Sequence, residues 1–143
     1  MTNDTTAALP APGMPPLGKR IARAMRLRCP MCGSGGLLDG WFRMKPACPS
    51  CGLHPERGEH DFFLGSMMLN LGISEGTLAL LLVALAIVTW PAVPWDFLQY
   101  GGIALMVLAP LAFLPFSRTL WMAFDLLLRP PAPDELDWSR VRP

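Results

Sequence analysis

Cys29-Pro30-Met31-Cys32-Gly33 and Cys48-Pro49-Ser50-Cys51-Gly52 are one five-residue frame written twice, with fifteen residues between Cys32 and Cys48. Two cysteines spaced by two residues can turn both sulfurs toward one point, and the glycine that follows lets the backbone bend and donate N–H groups to the thiolates. The spacing lies inside the interval of structural zinc ribbons. Four thiolates close a tetrahedral shell and leave no position for water or substrate, so Cys29, Cys32, Cys48 and Cys51 are expected to hold one structural zinc per chain. Iron held by four thiolates is the less favoured alternative. Two separate redox-active pairs would need a strand-to-helix context that neither pair has. His54 and His60 are surplus to a complete thiolate set and read as linker histidines.

Between the frames, Gly33-Ser34-Gly35-Gly36 is turn material, Leu37-Leu38 suits a strand, Asp39-Gly40 is a hairpin turn and Trp41 to Lys45 can return as the partner strand. The expectation over 29–60 is a small zinc-ribbon β-hairpin head and its linker. A hairpin of this size cannot bury enough apolar surface alone, whereas zinc contributes about 10 to 16 kcal/mol in finger-like peptides.

The rest of the chain is too apolar for a soluble domain: 52% of its 143 residues are hydrophobic and the mean hydropathy is +0.35. From Phe62 to Trp90 there is no basic residue and a single acid, Glu75. About 20 residues cross the hydrocarbon, so 61–90, with Asp61 as N-cap, reads as a first transmembrane helix. Residues 91–96 form a rigid turn, with Trp90, Trp95 and Tyr100 at the far interface. A second span over 97–116 carries Pro110, which predicts a kink near Met106. Ser117 can cap a separate C-terminal interfacial amphipathic helix over 117–129, because Arg118, Asp125 and Arg129 fall on one stripe and Pro115 and Arg118 interrupt the span. Residues 130–143 read as a polar tail. At the other end, Pro10, Pro12, Pro15 and Pro16 mark 1–18 as a disordered tail, and 19–28 as a basic juxtamembrane arm. No cleavable signal peptide is visible.

Lys19, Arg20, Arg23, Arg26, Arg28, Arg43, Lys45 and Arg57 precede the first span; Arg118, Arg129, Arg140 and Arg142 follow the second. None lies between. Both termini and the cysteines are therefore expected in the cytoplasm, where metal thiolate is favoured over disulfide, and the turn outside.

Inside the span a carboxylate costs at least about 2.5 kcal/mol, so Glu75 should meet protein, water or a partner. Ser66, Asn70, Ser74 and Thr77 share one face and Gly72 and Gly76 another. Two faces ready for helices, with one further span to use them, imply a membrane-protein partner or a second copy. On the ribbon, Trp41, Phe42, Arg43 and Met44 are the candidate docking surface, since aromatic, Arg and Met side chains favour interfaces. Only Arg43 and Lys45 stand against Asp39 between the cysteines, too little charge for a phosphate track, so no nucleic acid is expected. No catalytic constellation and no small-molecule substrate site is visible, which favours a non-enzymatic membrane adaptor. A tethered nucleic-acid-binding ribbon, or a subunit of a membrane enzyme or transporter using Glu75, are the alternatives.

The order Arg28-Cys29-Pro30-Met31-Cys32-Gly33, Gly36-Leu37-Leu38-Asp39-Gly40-Trp41-Phe42, Cys48-Pro49-Ser50-Cys51-Gly52-Leu53, then two spans, resembles the bacterial domain-of-unknown-function family 983, over roughly Arg28 to Arg129. The resemblance implies a zinc-ribbon protein of the bacterial inner membrane without assigned activity. Some members lie beside genes for haem-copper cytochrome oxidase and its assembly factors, which implies respiratory-complex biogenesis by association.

Overall fold

The structure, a computed structural model, describes residues 13–56, 62–132 and 134–141. Three helices, α1 (Leu17–Ala24), α2 (Phe62–Val88) and α3 (Trp95–Leu128), precede a short 3-10 turn at Trp138–Arg140. α2 and α3 form an antiparallel hairpin, and α1 packs on α3. Both long helices are apolar enough to cross a membrane, and their most apolar stretches are 6% and 0% buried. A core helix of a soluble protein would be covered by its own chain; these are left for lipid, which marks a membrane protein.

Burial is concentrated at one end of the hairpin. α2 buries Phe62, Ser66, Asn70 and Ser74 and nothing beyond; α3 buries Pro115, Ser117, Thr119, Leu120, Met122, Ala123 and Leu126 and nothing before. Those ends join the cysteine region in one core of Cys29, Met31, Cys32, Leu37, Cys48, Cys51, Leu53, Phe62, Met122, Leu126 and Leu136. The ribbon is thus fused to the base of the hairpin. Gly65 marks how tightly: a Cβ there would fall within the Trp121 ring.

Four sequence expectations are corrected. The separate interfacial helix over 117–129 does not exist; α3 runs unbroken from Trp95 to Leu128, 34 residues, through Pro110 and Pro115. At 1.5 Å per residue it is about 51 Å long, far more than a hydrocarbon core of about 30 Å, so its last turns stand inside the head instead of lying flat in the headgroups. Ser117 caps nothing: its hydroxyl donates to the Leu114 carbonyl at 2.8 Å. Second, the polar tail is part of the fold, with Leu136 in the core, Val141 packed against it, and Asp137 N–H donating to the Cys51 carbonyl at 2.9 Å. Third, the disordered tail ends earlier than 18, because Pro15 is buried, Met14 packs on the core and α1 begins at Leu17; residues 1–12 lie outside the described residues. Fourth, no β-strand forms among the described residues. The expected hairpin is reduced to one antiparallel bridge, Leu38 with Met44, flanked by Asp39 N–H to Arg43 O and Lys45 N–H to Leu37 O, both 2.9 Å. Gly36 and Gly40 at φ 77° and 95° and the knuckles on either side leave too few extended residues for a longer ladder. The Asp61 cap and His60 lie outside the described residues.

Candidate metal centre

Each cysteine frame closes in the same way. Cys29 N–H donates to Ser34 O at 3.0 Å and Gly33 N–H returns to Cys29 O at 2.8 Å; Cys48 N–H donates to Leu53 O at 2.9 Å and Gly52 N–H to Cys48 O at 3.0 Å. The glycines therefore tie the turn to the first cysteine's carbonyl and not, as their position suggested, to a thiolate. The N–H groups that reach sulfur come from other residues of the frames: Ser34 N–H lies 3.5 Å from Cys32 Sγ, and the backbone N–H groups of Cys32, Cys51 and Leu53 face the sulfurs of Cys29, Cys48 and Cys51. Gly33 and Gly52 sit at φ 76° and 74°, and at Gly33 a Cβ would lie 3.0 Å from Arg23 Nε. An arginine braces each loop from outside. Arg23 Nη1 donates to Pro30 O and Met31 O at 3.2 and 2.7 Å, and Arg140 Nη1 donates to Ser50 O at 3.1 Å.

The result is four buried sulfurs, all within 4.8 Å of one another. Cys29 and Cys51 are 3.8 Å apart and Cys32 and Cys48 3.7 Å, too far for a disulfide and close to the edge of about 3.8 Å that a tetrahedron with metal–sulfur bonds of about 2.3 Å requires. Proximity also divides the thiols. Sulfur hydrogen bonds from Cys29 and Cys51, and a lesser one from Ser34 Oγ, hold Cys48 below the usual thiol range; hydrogen bonding to Cys48 and then Cys51, with burial, pushes Cys29 up. A bound dication removes that conflict by letting all four ionise. The donor set fits a four-coordinate thiolate metal, which would supply cross-linking and no chemistry of its own. His54 is exposed and lines the cleft beside the second knuckle, outside the sulfur cluster.

The remaining candidates divide between two places. Asn70 Nδ2 donates to Pro110 O at 3.0 Å and Ser74 Oγ to Asn70 Oδ1 at 3.3 Å, a polar seam that joins the spans. Thr77, expected on that face, is exposed. Gly72, Glu75 and Gly76 are exposed; the glycines lie across α2 from the seam, and Glu75 beside them reaches the rim of a small hollow against Met106 and Pro110. In the head, Met44 packs on the core and Arg43 is exposed. Trp41 and Phe42 reach α3: the indole N–H donates to Leu111 O at 2.8 Å, and Arg118 Nη1 donates to Phe42 O while its guanidinium covers the Phe63 ring at 5.2 Å. Sequence reasoning missed the Arg23, Arg140 and Arg118 braces. It also missed that Trp41 meets the carbonyl that Pro115 must leave unpaired at Leu111, a contact for which the proline itself was the available signal.

No curated protein and no solved structure matches this chain. The family model described as "Protein of unknown function (DUF983)" matches residues 38–125, which takes in the second knuckle and nearly all of the helical hairpin but starts after Cys29 and Cys32. With more than half of its length matched, the chain belongs to the DUF983 family of proteins of unknown function.

Proposed function

We propose that this protein is a non-enzymatic adaptor or assembly factor, in which a zinc-clamped cytoplasmic head is held on a hairpin of the bacterial inner membrane that docks a larger membrane complex. The observation that carries the docking is Glu75. It is exposed about 20 Å along α2 from Val88, with no hydrogen bond to a described residue, while the neighbouring Asn70–Ser74 seam is already used on α3. A carboxyl facing hydrocarbon is costly, and exposed Gly72 and Gly76 allow a second helix to come close enough to accept its proton or hydrogen bond. The four-thiolate cluster supports this reading, because a metal held there would stiffen the head and would leave no open position for a reaction. The family resemblance points to a haem-copper oxidase or its assembly machinery as the complex.

A photo-crosslinker placed at position 75 tests it, with position 80 on the same helix as control. The expected product is a heterologous membrane protein captured from 75 and not from 80, with yield reduced several-fold by Glu75→Gln when the probe is moved to 72. Capture of lipid alone at both positions would end the adaptor reading, and capture of this same chain would replace it with a homo-oligomer.

A further inference from the structure

Inside a bilayer a helix carbonyl released by proline is costly to leave bare, so a donor that the protein itself brings to it is favoured. Pro115 has no N–H to offer Leu111 O, and Trp41 supplies one. That bond fixes the depth of the ribbon's tip. Leu111 is sixteen residues along α3 from Trp95, about 24 Å, and so falls within a hydrocarbon core of about 30 Å measured from the far boundary that Trp90 and Trp95 mark. Arg118, about 35 Å along, lies past the near boundary, and it is the residue that grips Phe42 O. The tip therefore sits across the boundary between acyl chains and headgroups.

Its side chains suit that place. Trp41 is 49% exposed and Phe42 58%, continuous with Leu111 at 46% and Leu108 at 62% on the adjacent face of α3. Asp39, Gly40 and Arg43, also exposed, flank the two rings in sequence and bring polar groups next to them. Trp41 is thus placed as interfacial tryptophans are, its N–H bonded and its ring in the apolar layer. We infer that residues 39–43 form a wedge inserted into the leaflet on the head's side, with Trp41 and Phe42 among the upper acyl segments, and that the occupant of this surface is lipid and not a protein. The inference is independent of what α2 docks.

The full-length, metal-loaded protein, reconstituted in phosphatidylcholine–phosphatidylglycerol vesicles, tests it through tryptophan emission. Acyl chains brominated near the carbonyl end quench from within the leaflet, and iodide quenches from water. The emission lost on Trp41→Phe is expected to be quenched by the bromolipid and shielded from iodide. Because that variant loses a hydrogen bond, Phe42→Trp serves as a second reporter that removes none, and should add emission of the same kind. Emission at 41 or 42 that iodide quenches and bromolipid does not would place the tip in water and overturn the wedge. Emission that neither quencher reaches, in protein taken from its native membrane, would mean that a protein covers the tip and would overturn it equally.

Discussion

Gly65 and Thr119 show how single residues hold the head to the spans. A Cβ on Gly65 overlaps the Trp121 ring, so Gly65→Ala must displace an indole that packs against the shared core. Overpacking of this kind costs about 1 to 3 kcal/mol. Unfolding of the variant in mild detergent should show a loss of that size, whereas Gly72→Ala, with open space around its Cβ, should change little. Thr119, fully buried, donates to Ala24 O at 2.9 Å and so ties the last turn of α1 to α3. Thr119→Val keeps the shape and deletes the donor. A loss of about 1 kcal/mol is expected, with α1 released before the rest in hydrogen exchange. Neither residue is conspicuous in the sequence. Gly65 reads as one more small residue in a span, and Thr119 as a neutral position in a helix, because the ring and carbonyl that give them meaning lie 56 and 95 residues away.

At the level of elements, α3 is where sequence and structure part. The two spans, their order and the turn between them were legible from the apolar runs and from the absence of basic residues between Val88 and Gln99. The continuity of α3 was not, because Pro115 and Arg118 carry local signals for a break and both are overridden from outside the helix. Trp41 satisfies Leu111 O, and Arg118 is taken up by Phe42 O and the Phe63 ring. This predicts a coupling. Trp41→Phe should cost about 1 to 3 kcal/mol in the native background and much less when Pro115→Ala restores the helical N–H, an interaction measurable by a double-mutant cycle. Equal costs in both backgrounds would show that the indole does not replace that bond. The C-terminal segment carries a second conditional contact. The Asp137 carboxyl is held below its ordinary value, first by Ser139 Oγ and also by Arg140, which is 3.1 Å away and itself bonded to Ser50 O. A depressed carboxylate stabilises above its unfolded value of 3.8 and loses that contribution as pH falls through the lower folded one. Protease sensitivity after Pro131 should therefore rise below about pH 4, and Asp137→Asn should remove that step.

For the whole molecule, the four-cysteine frame was readable from spacing alone, since two identical turns and four sulfurs need no partner to declare themselves. The extent of the folded unit was not: a ribbon expected to stand apart shares its core with Phe62, Met122, Leu126 and Leu136. Chelation is accordingly expected to unfold the head while the hairpin stays helical. Far-UV circular dichroism should change little, residues 29–56 should become protease-sensitive, and the thiols should become reactive, with one zinc recovered per chain. If the head stayed protected after metal removal, the apolar core would be sufficient and the metal dispensable.

The joint core also has a temporal side. A ribosome delivers the cysteines by residue 51, yet Met122, Leu126 and Leu136, which wall them in, emerge only after both spans have been made. Metal captured early would sit in a half-open cage, and the cage shuts only once the hairpin has been threaded correctly. The order of synthesis thus puts closure of the cysteine core after both long helices, since the residues that complete it come last.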